Sequence, residues 1–298
     1  MKVAHIIPCR NKERHIAKTL QSVLDQDYQG LEVIISDQGS ADHSPEVIEN
    51  TLDRNKETCL HQVRFLNCPL TDRLGMAGLN QHLDWIISQS DADIFFITSA
   101  DDYAFPQRTS KCVEVFKEFN PSMVLGMVKF TEDDGTPAGV TAYTGQTGFV
   151  SPSDCLHSMV GGSTCHSFTR KFYEQSGGFA GICGFDAYMP FMATVIDGAY
   201  FIREVLHEYI NHKDINNTGL QGAWLAANDQ DKIRLEELMH FQVATGFVRA
   251  AERLEQLNVH NHEAKQALFQ QILGRTISWT RIREQITLNR WEPMMLKA

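Results

Sequence analysis

The chain has 298 residues, with 43% hydrophobic and 21% charged content, which describes a soluble globular protein with a sizeable core rather than a disordered or fibrous chain. Its formal net charge of −10 argues against a nucleic-acid surface, which wants clustered Lys and Arg. Seven cysteines without a C-x-x-C pair argue against a disulfide framework or a structural zinc site, and for reduced, mostly buried thiols. The N-terminal segment MKVAHIIPCRNKER is too charged for a signal peptide and no apolar run reaches a membrane span, so the expectation is a cytoplasmic protein.

Val3 to Pro8 reads as a first buried strand. Asn11 is placed to cap a helix whose apolar residues Ile16, Leu20, Val23 and Leu24 share one face. Leu31 to Ser36 is a second strand, followed by the polar loop DQGSADHS, with Ser44 and Pro45 as cap and first-turn proline of the next helix. Val63 to Asn67 is a third strand. A helix with Met76, Leu79, Leu83, Ile86 and Ile87 on one face leads into a fourth, Ile94 to Ile97.

This strand–helix rhythm implies a mostly parallel sheet covered on both faces. Ligands bind such sheets at the carboxyl ends of the strands. The rule lines up Pro8 to Asn11, Asp37 to Ser40 and Ser99 to Asp102 along one edge. After Pro106 come a helix, the strand MVLGMVKF and the turn EDDGT. Residues 141–184 are rich in Gly, Ser and Thr and read as irregular. From about 221, apolar residues recur at helical spacing (Ile233, Leu238, Phe241, Phe247, Ala251, Leu254), with further helices expected around Ala264 to Leu273 and Ile277 to Leu288. The division is therefore an α/β domain over 1–220 and a helical region over 221–298.

No G-x-G-x-x-G follows the first strand, and no G-x-x-x-x-G-K-S/T occurs, which disfavours dinucleotide and P-loop chemistry. What remains is carboxylates at strand ends. Ser99 and Asp101 share one side of the extended chain while Asp102 points to the other. Read alone, the acid pair fits either a hard divalent cation or the capping of the following turn. Asp37 fits either a ligand contact or an Asx turn, and Asp186 either a base or a helix cap.

In order along the chain, IIPCRN, LQSVLDQDY, EVIISDQGSADHS, GLNQHLDWI, FFITSADDYAFP and SGGFAGICGFDAYMPFMATVIDGAYFIREV resemble the motifs of the family-2 glycosyltransferases of the GT-A fold. The resemblance covers about residues 1–215. It implies a GT-A (Rossmann-like) sheet and an inverting, metal-dependent transfer from a nucleotide-sugar donor, uridine-linked by family analogy, with Mn²⁺ or Mg²⁺ as the cofactor. Pro8 and the loop after it, with Arg10, would line the base. Asp37 and Gly39 would contact the nucleoside, and Ser99 and Asp101 would face its ribose and diphosphate. Asp101 and Asp102 would serve the metal, and His212 falls where some members carry a late histidine near the diphosphate, a place for which His207 competes. Asp186 would be the general base.

Departures from the motifs are also visible. Ser99 stands where the first acid of D-x-D belongs, Gln38 where the second acid of D-D-G-S belongs, and Phe185 where a glutamate precedes the base; Arg73 lies near, but not at, the place of the usual arginine. Two rivals follow. One is a degenerate domain that binds a nucleotide sugar or a partner without turnover, favoured by Ser99 and Phe185. The other is a sugar nucleotidyltransferase, for which the glycine-rich basic loop after the first strand is missing. The acceptor (glycan, lipid carrier, protein or modified nucleic acid) and the oligomeric state carry no readable code.

Overall fold

The computed structural model describes residues 1–71, 75–141, 143, 145–157, 166–179, 185–212, 246–259, 261 and 264. The first half alternates as the sequence predicts: β1 (Val3–Cys9), α1 (Ile16–Leu24), β2 (Glu32–Asp37), α2 (Ser44–Asn55), β3 (Gln62–Asn67), α3 (Gly75–Ser88) and β4 (Ile94–Ile97). Then follow β5 (Tyr103–Ala104), α4 (Arg108–Phe119), β6 (Met123–Glu132), β7 (Pro137–Val140), β8 (Gly148–Phe149), α5 (Pro152–His157), β9 (Ser167–Thr169), α6 (Arg170–Ser176), α7 (Phe185–Ile196) and β10 (Ala199–Asn211). The sheet runs β3-β2-β1-β4-β9-β6-β10-β5, with β7 on β6 and β8 on β10. β1 to β4 are parallel, β9 is antiparallel to both β4 and β6, and β6 and β10 are parallel.

Side-chain alternation sorts the strands onto two faces. Val3, Ile7, Val33, Ile35, Ile94 and Phe96 pack under α1, α2 and α4, while Ala4, Ile6, Ile34, Phe95 and Ile97 pack under α3, α6 and α7. Both faces are closed, which is why β1, β2 and β4 read as continuous apolar runs. A helix over residues 246–256 adds Phe247, Ala250 and Leu254 to the second face, with the Phe247 ring 6.1 Å from that of Phe191. Arg253 on it donates to the Gln175 carbonyl at 2.7 Å, meeting the unpaired carbonyls at the end of α6. Of the helix expected around Ala264 to Leu273 only Ala264 is described, and the helix expected around Ile277 to Leu288 lies outside the described residues, as do Ile233, Leu238, Phe241 and Arg73.

Several local readings are corrected. Asn11 does not cap α1: it takes a left-handed φ of 51° and its side chain accepts from the Ala41 N–H at 2.8 Å. Asparagine tolerates that conformation, and the chain makes a separate turn, in which the Lys12 carbonyl accepts from His15 and Ile16, before α1 begins. Ser44 is the first residue of α2 rather than its cap, and its hydroxyl serves Asp42 and the Lys12 N–H instead. The stretch 141–184 is not wholly irregular. It contains β8, α5, β9 and α6, the last capped by Thr169, which accepts from the Phe172 N–H at 3.1 Å. Cys9, Cys59, Cys68, Cys112 and Cys155 are thiols, with no disulfide among the described residues. No helix among the described residues is long and apolar enough to cross a membrane.

Candidate active site

The carboxyl ends of β1, β2 and β4 bring their loops together. The β1 and β2 loops are laced by reciprocal bonds. Asn11 N–H donates to Ser40 Oγ (2.8 Å), Lys12 N–H to Ser44 Oγ (2.7 Å), Glu13 N–H to Asp42 (3.1 Å) and His43 N–H to Glu13 (2.9 Å). Arg10 spans further, donating to the carbonyls of Gln38 (3.0 Å) and Thr71 (3.1 Å). Pro8 is buried at the end of β1, in register with Ser36. Ser36 in turn meets His82 Nε2 of α3 at 2.8 Å.

Asp37 closes the DQGS turn on itself. Its carboxylate accepts the Ser40 N–H at 2.9 Å and the Ser40 hydroxyl. The turn needs Gly39, which has φ +70° and whose missing Cβ would stand 2.8 Å from Thr71 Cγ2. Gln38 fills the place of the second acid by donating from Nε2 to the Leu70 carbonyl at 2.9 Å, a bond a carboxylate could not make.

The acid pair after β4 is split. The chain turns at Ser99, whose carbonyl accepts the Asp102 N–H at 3.0 Å. Asp102 faces β10, accepting the Ile210 N–H at 3.0 Å, with His207 Nε2 at 3.7 Å. Behind His207 stands Arg108, which is fully buried. It donates to His207 Nδ1 (3.1 Å), Thr98 Oγ1 (3.1 Å) and the carbonyls of Ile97 (2.9 Å) and His166 (3.2 Å). A guanidinium only donates, so His207 Nδ1 is unprotonated and the ring neutral. Burial, then the Arg108 charge, pushes its pKa well below the ordinary histidine value.

Asp101 turns the other way. Its Oδ2 meets His212 Nε2 at 2.8 Å and Lys12 Nζ at 2.5 Å. Burial alone would push this carboxyl up, but the His212 hydrogen bond and the Lys12 ammonium outweigh it and hold the group well below the usual carboxylate range. The His212 ring stacks on His15 at 4.9 Å. A register shift between Ile202 and His207 on β10 precedes both histidines and re-aims the strand toward the site.

The structure thus brings Pro8, Arg10, Asp37, Gly39, Ser99, Asp101 and His212 to one edge and turns Asp102 and His207 into the sheet. Asp186 is the second residue of α7, and its side chain lies outside the described residues. Lys12, His15 and Arg108 were not singled out by sequence. The signal for Lys12 was its place: a cation on the same strand-end edge as a lone acid.

These side chains do not form the shell of a divalent cation. Such an ion wants several oxygen ligands. Here one carboxylate and one imidazole meet, Asp102 is engaged elsewhere, and an ammonium already stands at the shared oxygen. Among the described residues no group of three or more His, Cys, Asp and Glu could hold a metal.

A parallel sheet interrupted by an antiparallel strand, with a strand-end acid opposite the β1 loop, defines a GT-A fold. Solved structures with this architecture include S. aureus TarS 1-349, with a TM-score of 0.61 at 15% identity over 97% of this chain and 75% of that one. The same protein in complex with UDP-GlcNAc matches with a TM-score of 0.59 at 17% identity, over 97% of this chain and 76% of that one. At these identities the likeness is one of fold. The model of Glycosyl transferase family 2 matches residues 5–177, more than half of the chain, and the chain belongs to that family. Hyaluronan synthase of Streptococcus pyogenes is 30% identical over 125 residues, 41% of this chain. An "Uncharacterized glycosyltransferase" of Haemophilus influenzae is 26% identical over 133 residues, 45% of this chain. The matches span 28% of the synthase and 49% of the Haemophilus protein.

Proposed function

We propose that the protein transfers a sugar from a nucleoside-diphosphate sugar, uridine-linked, to an acceptor hydroxyl with inversion at the anomeric carbon. The observation that carries this reading is Asp101, a buried carboxylate after β4 that meets Lys12 of the β1 loop and His212 at the end of β10, at the sheet edge where ligands bind. The uridine preference is supported by the fold neighbour TarS, solved with UDP and with UDP-GlcNAc. Residues 1–220 are the catalytic unit in this reading and 221–298 a helical region, of which helix 246–256 packs on the same core.

Each residue has a defined task. Pro8, Arg10 and the Asp37–Ser40 turn form the floor for the nucleoside, and Ser99 faces its ribose. Asp186 takes the acceptor proton as the acceptor oxygen bonds to the anomeric carbon. The bond from that carbon to the β-phosphate oxygen breaks, and its electron pair leaves with the nucleoside diphosphate. Positive charge beside Asp101 stabilises the departing diphosphate. The Mn²⁺ or Mg²⁺ that the resemblance implies finds no fitting set of ligands among the described residues, and no step here is routed through it.

Asp186→Ala should lower release of UDP from a UDP-sugar by about 10²–10⁴-fold while leaving the melting temperature unchanged. Asp101→Asn should lower it comparably. Full activity in both variants would overturn the assignment. Tight UDP binding without turnover in the unmodified protein would instead favour a binding domain, the reading to which Ser99 and Phe185 point. Pyrophosphate release from a sugar phosphate and a nucleoside triphosphate would favour a nucleotidyltransferase.

A further inference from the structure

Unsatisfied buried polar atoms gather around Asp101. Lys12 Nζ lies against Asp101 Oδ2, its one acceptor among the described residues, although its side chain is only 7% exposed and the ammonium carries further protons. His15 Nε2 and His212 Nδ1, on the two stacked rings, lack partners there. An ammonium carries three protons, and buried donors left unmet are costly. An oxygen-rich anion is one group that would accept these ammonium protons.

Lys12 is also held in place before any ligand arrives. Its N–H donates to Ser44 Oγ at 2.7 Å, and its carbonyl accepts from both His15 and Ile16 at 2.9 Å. Asn11, in its left-handed conformation, fixes the turn that precedes it. The backbone is pinned on both sides, and the carboxylate of Asp101 fixes the far end of the side chain.

We infer that Lys12 is the cation that meets the donor's diphosphate, oriented by Asp101 and standing where a divalent ion would have to bind. The inference rests on the nucleotide-sugar reading above. Divalent ions sit about 2.0–2.6 Å from a carboxylate oxygen. The Lys12 nitrogen is already 2.5 Å from Asp101 Oδ2, so the two cations compete for one shell. Charge matching points the same way. With Ser99 in place of one acid and Asp102 turned to β10, Asp101 is the one carboxylate of this strand end that meets Lys12 among the described residues, and it suits a single positive charge. A diphosphate oxygen would accept the ammonium protons that Asp101 does not use. Lys12 is thereby a binding residue of the donor, and Asp101 its positioning residue.

The test is calorimetric titration of the full chain with UDP and with GDP, each in EDTA and in Mn²⁺, for the unmodified protein, Lys12→Met and Lys12→Arg. Uridine and guanosine serve as phosphate-free probes. The expected result is a nucleoside diphosphate whose Kd changes less than twofold between EDTA and Mn²⁺. Lys12→Met should weaken that binding at least tenfold in EDTA without altering affinity for the bare nucleoside, and Lys12→Arg should restore part of it. Binding by the unmodified protein that vanishes in EDTA would overturn the inference while leaving the glycosyltransferase reading intact, and this arm needs no variant to fold. Equal nucleotide affinity in Lys12→Met would overturn it too. Absence of nucleotide binding in every condition would overturn the underlying reading, and the inference with it.

Discussion

Lowering the pH from 7 to 5 should sharply destabilise this protein, because folding holds a set of imidazoles neutral. Burial, reinforced by the charge of Arg108, pushes His5 and His207 well below the ordinary value and His166 down to about 3. Burial, with the charge of Arg10, takes His82 down to about 4. In the unfolded chain these groups titrate near 6.5, so below that pH the unfolded state binds protons that the native state refuses. Their contribution is complete above pH 6.5 and is lost as pH falls toward the native values. Each imidazole gives a slope of up to about 1.4 kcal/mol per pH unit, and the four together about 5. Asp101 behaves differently: its carboxyl is depressed, so what it contributes is retained down to about pH 4 and lost only below. Thermal melts at pH 7, 6 and 5 should show Tm falling by roughly 10 °C or more per unit once below 6.5. A flat Tm across that range would mean that the native protein accepts these protons.

Arg108→Met should destabilise the fold by about 3–5 kcal/mol, the size expected when a buried charged network loses its central member. The guanidinium satisfies the Ile97 and His166 carbonyls, Thr98 and His207, and through His207 it faces Asp102. These groups belong to β4, the turn after it, the residue before β9, and β10, so one side chain ties together the strands around the acid pair. Methionine fills the volume and meets none of the acceptors. Arg108→Lys should recover little, because an ammonium lacks the planar fork that reaches several acceptors at once. Urea denaturation monitored by circular dichroism would measure both, and a loss under about 1 kcal/mol for Arg108→Met would refute the central role.

What was legible in the sequence follows from how locally each feature is encoded. β1, β2 and β4 are buried on both sides and read as plain apolar runs. β10 is not legible as a strand in the sequence, because Arg203 and Glu204 interrupt its alternation at the register shift. β9 has three residues and no periodicity, and its place between β4 and β6 is set by packing. At the site, Asp101 and His212 are named from motif position, while the opposed directions of Asp101 and Asp102 arise from the turn at Ser99 rather than from the parity of an extended chain. The partner of Asp101 is not so named. Lys12 and Asp101 lie far apart in sequence, and only the parallel pairing of β1 with β4 makes them neighbours.

The lacing of the β1 and β2 loops has a kinetic consequence. Fixing a backbone residue costs about 1–2 kcal/mol of entropy, and for Arg10 to Ser44 that cost is met during folding. A ligand arriving between these loops encounters a rigid floor, so its capture on this side requires no ordering step and its on-rate is set by diffusion and access. Discrimination among ligands then lies in how long each one stays.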